Sequence, residues 1–293
     1  MYPRIKSWSN IAGAKLLGFA GYKAGMSHIR IRDNSTSTTK GQIISVPVTI
    51  IECPPLKPLS LRFYKQTEDG LKIISEIHTT KELDKNLSRK LKITKKKEQK
   101  AIPDKFDKVT LQVYTQPKLT SLKKRPEIFE IQLSNDVNAE NVKSFLDNEI
   151  KVSDTFKEGQ FIDAHAVTVG KGFQGPVKRF GVTLRQKKSE KSTRNPGSLG
   201  AWNQQQHTMY RIAHAGQTGF QTRTDYNKLL LKISSNPEEV NPKGGVRGYG
   251  LVKSDYVLIK GSVPGPKKRL IRIIDSIRAR DKPVAVEILE WLQ

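Results

Sequence analysis

Between Ala164 and Thr224 the chain carries ten Lys/Arg and one acid, Glu190, together with eight glycines. Like charges repel at that density, and glycine has more backbone entropy to lose on ordering than any other residue. Such a segment cannot recover its folding entropy by burying itself, and a structureless loop of this length is foreign to a compact domain. An external anion is needed to order it. The cations are Lys171, Lys178, Arg179, Arg185, Lys187, Lys188, Lys191, Arg194, Arg211 and Arg223, and Phe173, Phe180, Trp202, Tyr210, Phe220 and Tyr226 punctuate them. Rings that stack on splayed bases, beside cations that hold phosphates, suit RNA. For Phe173, Phe180 and Phe220 a second reading stays open, that they anchor the tract to its own body. Trp202, in RNPGSLGAWNQQQ, has only Pro196, Gly197 and Gly200 around it and no local core.

The whole chain leans the same way. Its 293 residues hold 52 Lys/Arg against 28 Asp/Glu, a net charge of +24 and an isoelectric point near 10.0. Nucleic acid is the commonest partner for such a charge. No apolar run approaches the ~20 residues that span a bilayer and no signal peptide opens the sequence, so a cytosolic protein without a membrane partner is expected. Cys53 stands alone, which excludes an internal disulfide and a cysteine zinc knuckle and suits a small buried hydrophobe. A second basic set, Lys243, Arg247, Lys253, Lys260, Lys267, Lys268, Arg269 and Arg272, is expected to reach RNA as well, with PGPKKR presenting three charges on a turn.

Chemistry is sparsely signalled. GKGFQG, Gly170 to Gly175, matches a dinucleotide-binding pattern, with Glu190 about 20 residues downstream. The following PVKRFGVTLRQKK lacks a helical apolar period, so a tight turn lying close to something negative is the better reading. His28, His78, His165, His207 and His214 have no metal-ligand spacing, and no GxSxG, HExxH or GxxxxGK[ST] occurs. No catalytic residue, metal or cofactor is therefore expected. Without a helix-turn-helix, a Cys-His finger or a leucine repeat, DNA is not expected as partner. An RNA-modifying or processing enzyme remains the alternative, with Glu190 the lone candidate acid of the tract.

Apolar runs at Lys15 to Met26, Gln42 to Ile51, Phe161 to Val169, Tyr226 to Ile233, Tyr256 to Val263, Leu270 to Ile274 and Pro283 to Trp291 are short, partly β-branched and bounded by Gly, Pro and Asn, as strands are. A mostly β protein is expected. Its β-barrel body takes residues 1–80, 156–169 and 224–293; an inserted α+β subdomain takes 81–155, and a basic Gly-rich extension takes 170–223. Within the insert, VTLQVYTQ and EIFEIQL read as strands and NVKSFLDNEI as a short helix with Val142, Phe145 and Ile150 on one face, capped by Asn138 or Asn141.

Four stretches also carry a resemblance: LLGFAGYKAGMSHI, KEGQFIDAHAVTVGKGFQGPVKRFGV, PGSLGAW and AGQTGFQTRTDYNKLLLKI. They resemble the large-subunit ribosomal protein L3 family of the archaeal and eukaryotic type. The resemblance implies a structural rRNA-binding protein with a translation-protein-type barrel and an extension that penetrates the rRNA. It implies binding near the 3′ end of 23S-type rRNA, a part in early subunit assembly, and neighbouring large-subunit proteins as partners. By match to PGSLGAW, Trp202 would tip a finger beside the peptidyl transferase centre. Asn203 and Gln204 stand where the family has His-Pro, and Glu190 and Lys191 lie where some members carry a modified histidine, so no such modification is expected. Members of this type also have a longer basic arm before the first stretch, whereas this sequence starts about 15 residues before it.

Overall fold

The computed structural model describes residues 2–11, 13–34, 37–79, 83–92, 102–103, 105–134, 142, 144–200, 208–278 and 287–292. They form two compact units, Met1–Ala166 with Thr224–Gln293, and Val167–Arg223.

The larger unit is built on β1 (Gly18–Arg32), a strand long enough to serve three partners. Its first half pairs antiparallel with β12 (Leu270–Asp275), its length with β2 (Ile43–Glu52), and its far end with β13 (Glu287–Leu292). β2 continues to β11 (Tyr256–Lys260), β11 to β10 (Thr222–Ser234), β10 to β7 (Phe161–Val167), and β7 to β12. Because β12 also pairs with β1, the path of pairing through these six strands returns to its start. The small residues of GFAGYKAGM make this possible. A Cβ on Gly21 would lie 2.6 Å from both Cys53 Sγ and Ile51 Cγ2, so only glycine lets β1 pass that close to its neighbour.

A second, four-stranded antiparallel sheet runs in the order β4 (Gly70–His78), β3 (Lys57–Thr67), β5 (Lys108–Tyr114), β6 (Ile128–Gln132). It shares a core with the first, where Phe19, Tyr22, Ile29, Ile51, Leu56, Phe63, Leu111, Ile131 and Tyr256 are all essentially inaccessible. Each buried side chain of this size contributes roughly 1.5–3 kcal/mol of transfer free energy. The sheet's other face is polar: Arg62 bridges Glu76 (3.1 Å) and Glu130 (2.5 Å), and Tyr64 donates to Glu130 (2.8 Å). The β3–β4 hairpin lies ahead of Lys81, so this sheet draws two strands from residues that the sequence reading gave to the body. Of the expected helix near Val142, Val142 and Leu146 are buried and Phe145 packs on the core, whereas Asn138 and Asn141 lie outside the described residues.

Several polar groups are buried in this unit. Arg272, expected on the RNA-facing surface, is instead interior: it lies on β12 opposite Ala20 and His165, 4% exposed. Its guanidinium lies over the rings of Phe129 (4.7 Å) and Trp8 (5.8 Å) and donates to the carbonyls of Pro3 (3.2 Å) and Glu130. Desolvation pushes its pKa down to about 10.

His165 is buried too, with Nδ1 2.8 Å from Thr224 Oγ1 and Nε2 without a hydrogen-bond partner among the described residues. Burial holds its pKa below 6.5. The unfolded chain therefore takes up a proton below pH 6.5 that the fold refuses, and the stability this residue contributes is present above pH 6.5 and lost as pH falls. The melting temperature is expected to drop between pH 7.5 and 5.5, and to drop less in His165→Asn; equal slopes for the two proteins would contradict this.

Candidate nucleic-acid interface

The tract Val167–Arg223 begins and ends as a two-stranded ribbon. Thr168 N–H donates to Gln221 O (2.9 Å), Lys171 N–H to Thr218 O (2.8 Å) and Thr218 N–H to Gly172 O (2.9 Å), and Phe173 and Gln174 of β8 (Phe173–Gln174) oppose Gln217 and Gly216 of β9 (Gly216–Gln217). Gly219 sits within the ribbon at φ +68°, where a Cβ would lie 2.0 Å from Val169 O; no other residue fits. GKGFQG is thus one strand of this ribbon, paired through its backbone, and not the tight turn expected of it. It leads into a five-residue helix, Pro176–Phe180, with Pro at its start and left-handed Gly181 at its end.

From Thr168 to Arg223 no described residue is buried. Phe173 is 77% exposed and Tyr210 87%, and Phe180, Phe220, Leu184, Leu199 and Met209 are open as well. The rings are not sealed into a core.

The cations differ in their surroundings. Lys171, Lys178, Lys187, Lys188, Lys191 and Arg194 are exposed, and their charged groups have no partner among the described residues. Arg179 donates to His214 O (2.9 Å) and lies 4.9 Å from the Phe180 ring, and Arg185 donates to Pro196 O (2.7 Å). These two arginines therefore brace the tract across gaps of 35 and 11 residues, a role the sequence reading missed. Arg211 lies over Tyr210 (5.7 Å), and Arg223 donates to Thr222 O and Gln221 Oε1. No Lys or Arg of the tract forms an ion pair among the described residues. Glu190 is exposed. Trp202 and His207 lie outside the described residues.

In the larger unit, two loops converge on β1. Lys268 N–H donates to Lys23 O (2.8 Å) and Lys23 N–H to Arg269 O (3.0 Å), while the Lys23 ammonium is buried on Val263 O (2.5 Å) and Gly265 O (3.2 Å). PGPKKR is the expected turn, closed by Arg269 N–H to Pro266 O (3.2 Å), with Lys268 at φ 69°. Lys267 donates to Arg247 O, which brings the two loops together. Lys243, Arg247, Lys267 and Lys268 are exposed and Arg269 is half-exposed. Among the described residues no group of His, Cys, Asp and Glu could hold a metal ion, and no helix is long and apolar enough to cross a membrane.

Fold and surface together define a class: a mostly β protein, strongly basic, carrying a long cationic tract in which no described residue from Thr168 to Arg223 is buried. The model of the ribosomal protein L3 family matches residues 2–292. Relatives called large ribosomal subunit protein uL3 are 45% identical in Archaeoglobus fulgidus (94% of this chain, 86% of the relative), 43% in Methanobrevibacter smithii (96% and 88%) and 40% in Methanocaldococcus jannaschii (99% and 90%). The chain belongs to the ribosomal protein L3 family.

Proposed function

We propose that this chain is a structural constituent of the large ribosomal subunit, and that residues 170–223 are its principal rRNA-contacting element. One observation carries the reading: the tract holds ten cations and one acid, its described rings are exposed, and none of its described residues from Thr168 to Arg223 is buried. Its lysines supply point charges for phosphates, its rings supply stacking faces, and Arg179 and Arg185 hold the backbone so that both point outward. Lys243, Arg247, Lys267, Lys268 and Arg269 form a second contact surface, on the converging loops of the body.

The finer assignments rest on family membership. The six strands of the pairing ring form a translation-protein-type barrel, and the second sheet, β3 to β6, is inserted in the chain between β2 and β7. The chain binds 23S-type rRNA near its 3′ end and acts early in subunit assembly beside neighbouring large-subunit proteins. Trp202 tips the tract close to the peptidyl transferase centre, where it supports catalysis by RNA and performs none.

Trypsin tests the central element, since each cation of the tract is a cleavage site. Added large-subunit rRNA is expected to protect residues 171–223 of the full chain while the RNA-free protein is cut there first. Equal resistance with and without RNA at moderate salt would refute the reading.

A further inference from the structure

Tyr226 of β10 is 40% exposed, and the guanidinium of Arg278 lies 4.1 Å from its ring centroid. Arg278 is itself exposed and pairs with no carboxylate among the described residues. An exposed cation–π contact does little for the stability of the body. The support beneath it is far more elaborate. Asp163, wholly buried on β7, accepts the backbone N–H of Asn227 with one oxygen (2.8 Å) and that of Ile277 with the other (3.0 Å). Asn227, at φ 54° in mid-strand, accepts the Ser276 hydroxyl (2.6 Å). Asn227 follows Tyr226 and Ile277 precedes Arg278, so one buried carboxylate fixes both halves of the stack side by side. The adjacent Lys228 is already paired with Asp225 (3.5 Å), which leaves Arg278 as the cation here without a carboxylate partner among the described residues.

We infer that the Tyr226–Arg278 stack is a platform for one unpaired nucleotide of RNA. The inference rests on the RNA-binding reading and adds a site on the body, outside the basic tract. A flat ring and a flat guanidinium, held in place before any partner arrives, offer a stacking face at little ordering cost, and the guanidinium edge can also donate to the nucleotide's phosphate. Bases inside a duplex have no free face, so the partner is a nucleotide turned out of a loop or bulge.

The test uses the full chain on large-subunit rRNA, with affinity measured at fixed salt and 2′-hydroxyl acylation reporting the footprint. Tyr226→Ala is expected to weaken binding about tenfold and to restore reactivity at one or two unpaired nucleotides while the rest of the footprint persists. Tyr226→Phe should match wild type. Arg278→Lys keeps the charge but loses the plane, and should release the same nucleotides. A wild-type footprint and affinity in both Y226A and R278K overturns the inference and leaves the proposed function standing; a wild-type chain with no footprint at all sinks the proposed function. Should Y226A fail to melt cooperatively, R278K decides alone.

Discussion

Replacing residues 174–216 with an Asn-Gly turn is expected to leave the body's melting temperature nearly unchanged and to lower affinity for large-subunit rRNA by at least about a hundredfold near physiological salt. Both halves follow from the same fact. No described residue from Thr168 to Arg223 is buried, so the excision removes nothing the body's core depends on. Phe173 and Gln217 already face each other across the ribbon, and a two-residue Asn-Gly turn closes such a pair without strain. The excised residues include Lys178, Arg179, Arg185, Lys187, Lys188, Lys191, Arg194 and Arg211 against Glu190 alone, and Trp202 leaves with them. Thermal melts and filter binding check the two halves separately.

The opposite pattern is expected for Arg272→Ala: a loss of roughly 2–5 kcal/mol of stability, with rRNA contacts intact in whatever fraction remains folded. The guanidinium is buried against Phe129 and Trp8 and satisfies the carbonyls of Pro3 and Glu130. Truncation leaves both carbonyls unpaired and a cavity between two rings, and each defect costs on the order of 1–3 kcal/mol. Denaturant unfolding reads the effect. A change within about 0.5 kcal/mol, the usual surface value, would mean that Arg272 is a surface cation after all.

Arg272 also shows where the sequence misleads. In KKRLIRII it follows a run of cations and sits within a strand-like run, and which face of that strand it takes is settled by its register opposite Ala20 and His165. The β3–β4 hairpin leaves a weaker mark in the sequence. LSLRFY alternates and an Asp-Gly turn follows, but Arg62, Tyr64 and Glu76 on the polar face break the stretch, so it offers no apolar run like those that mark the other strands. The strands of the pairing ring were legible because they pack apolar side chains on a common core, as IISVPVTII and YVLIK do. The basic tract was legible for the inverse reason, since charge and glycine forbid a core. The bracing by Arg179 and Arg185 was not, because a guanidinium that reaches a carbonyl 35 residues away leaves no mark in spacing. The Tyr226–Arg278 stack was half visible: the ring stood out, whereas its partner lies 52 positions on and meets it only through Asp163.

The salt dependence of rRNA affinity tests the central claim most directly, because each phosphate neutralised by the tract adds to the slope. If the eight cations removed with residues 174–216 all meet phosphates, the slope of log affinity against log salt should be shallower by about 6 in the excised chain than in wild type, at ~0.7 per phosphate of single-stranded RNA. Parallel slopes for the two proteins would show that the tract neutralises no phosphate, and would contradict the account.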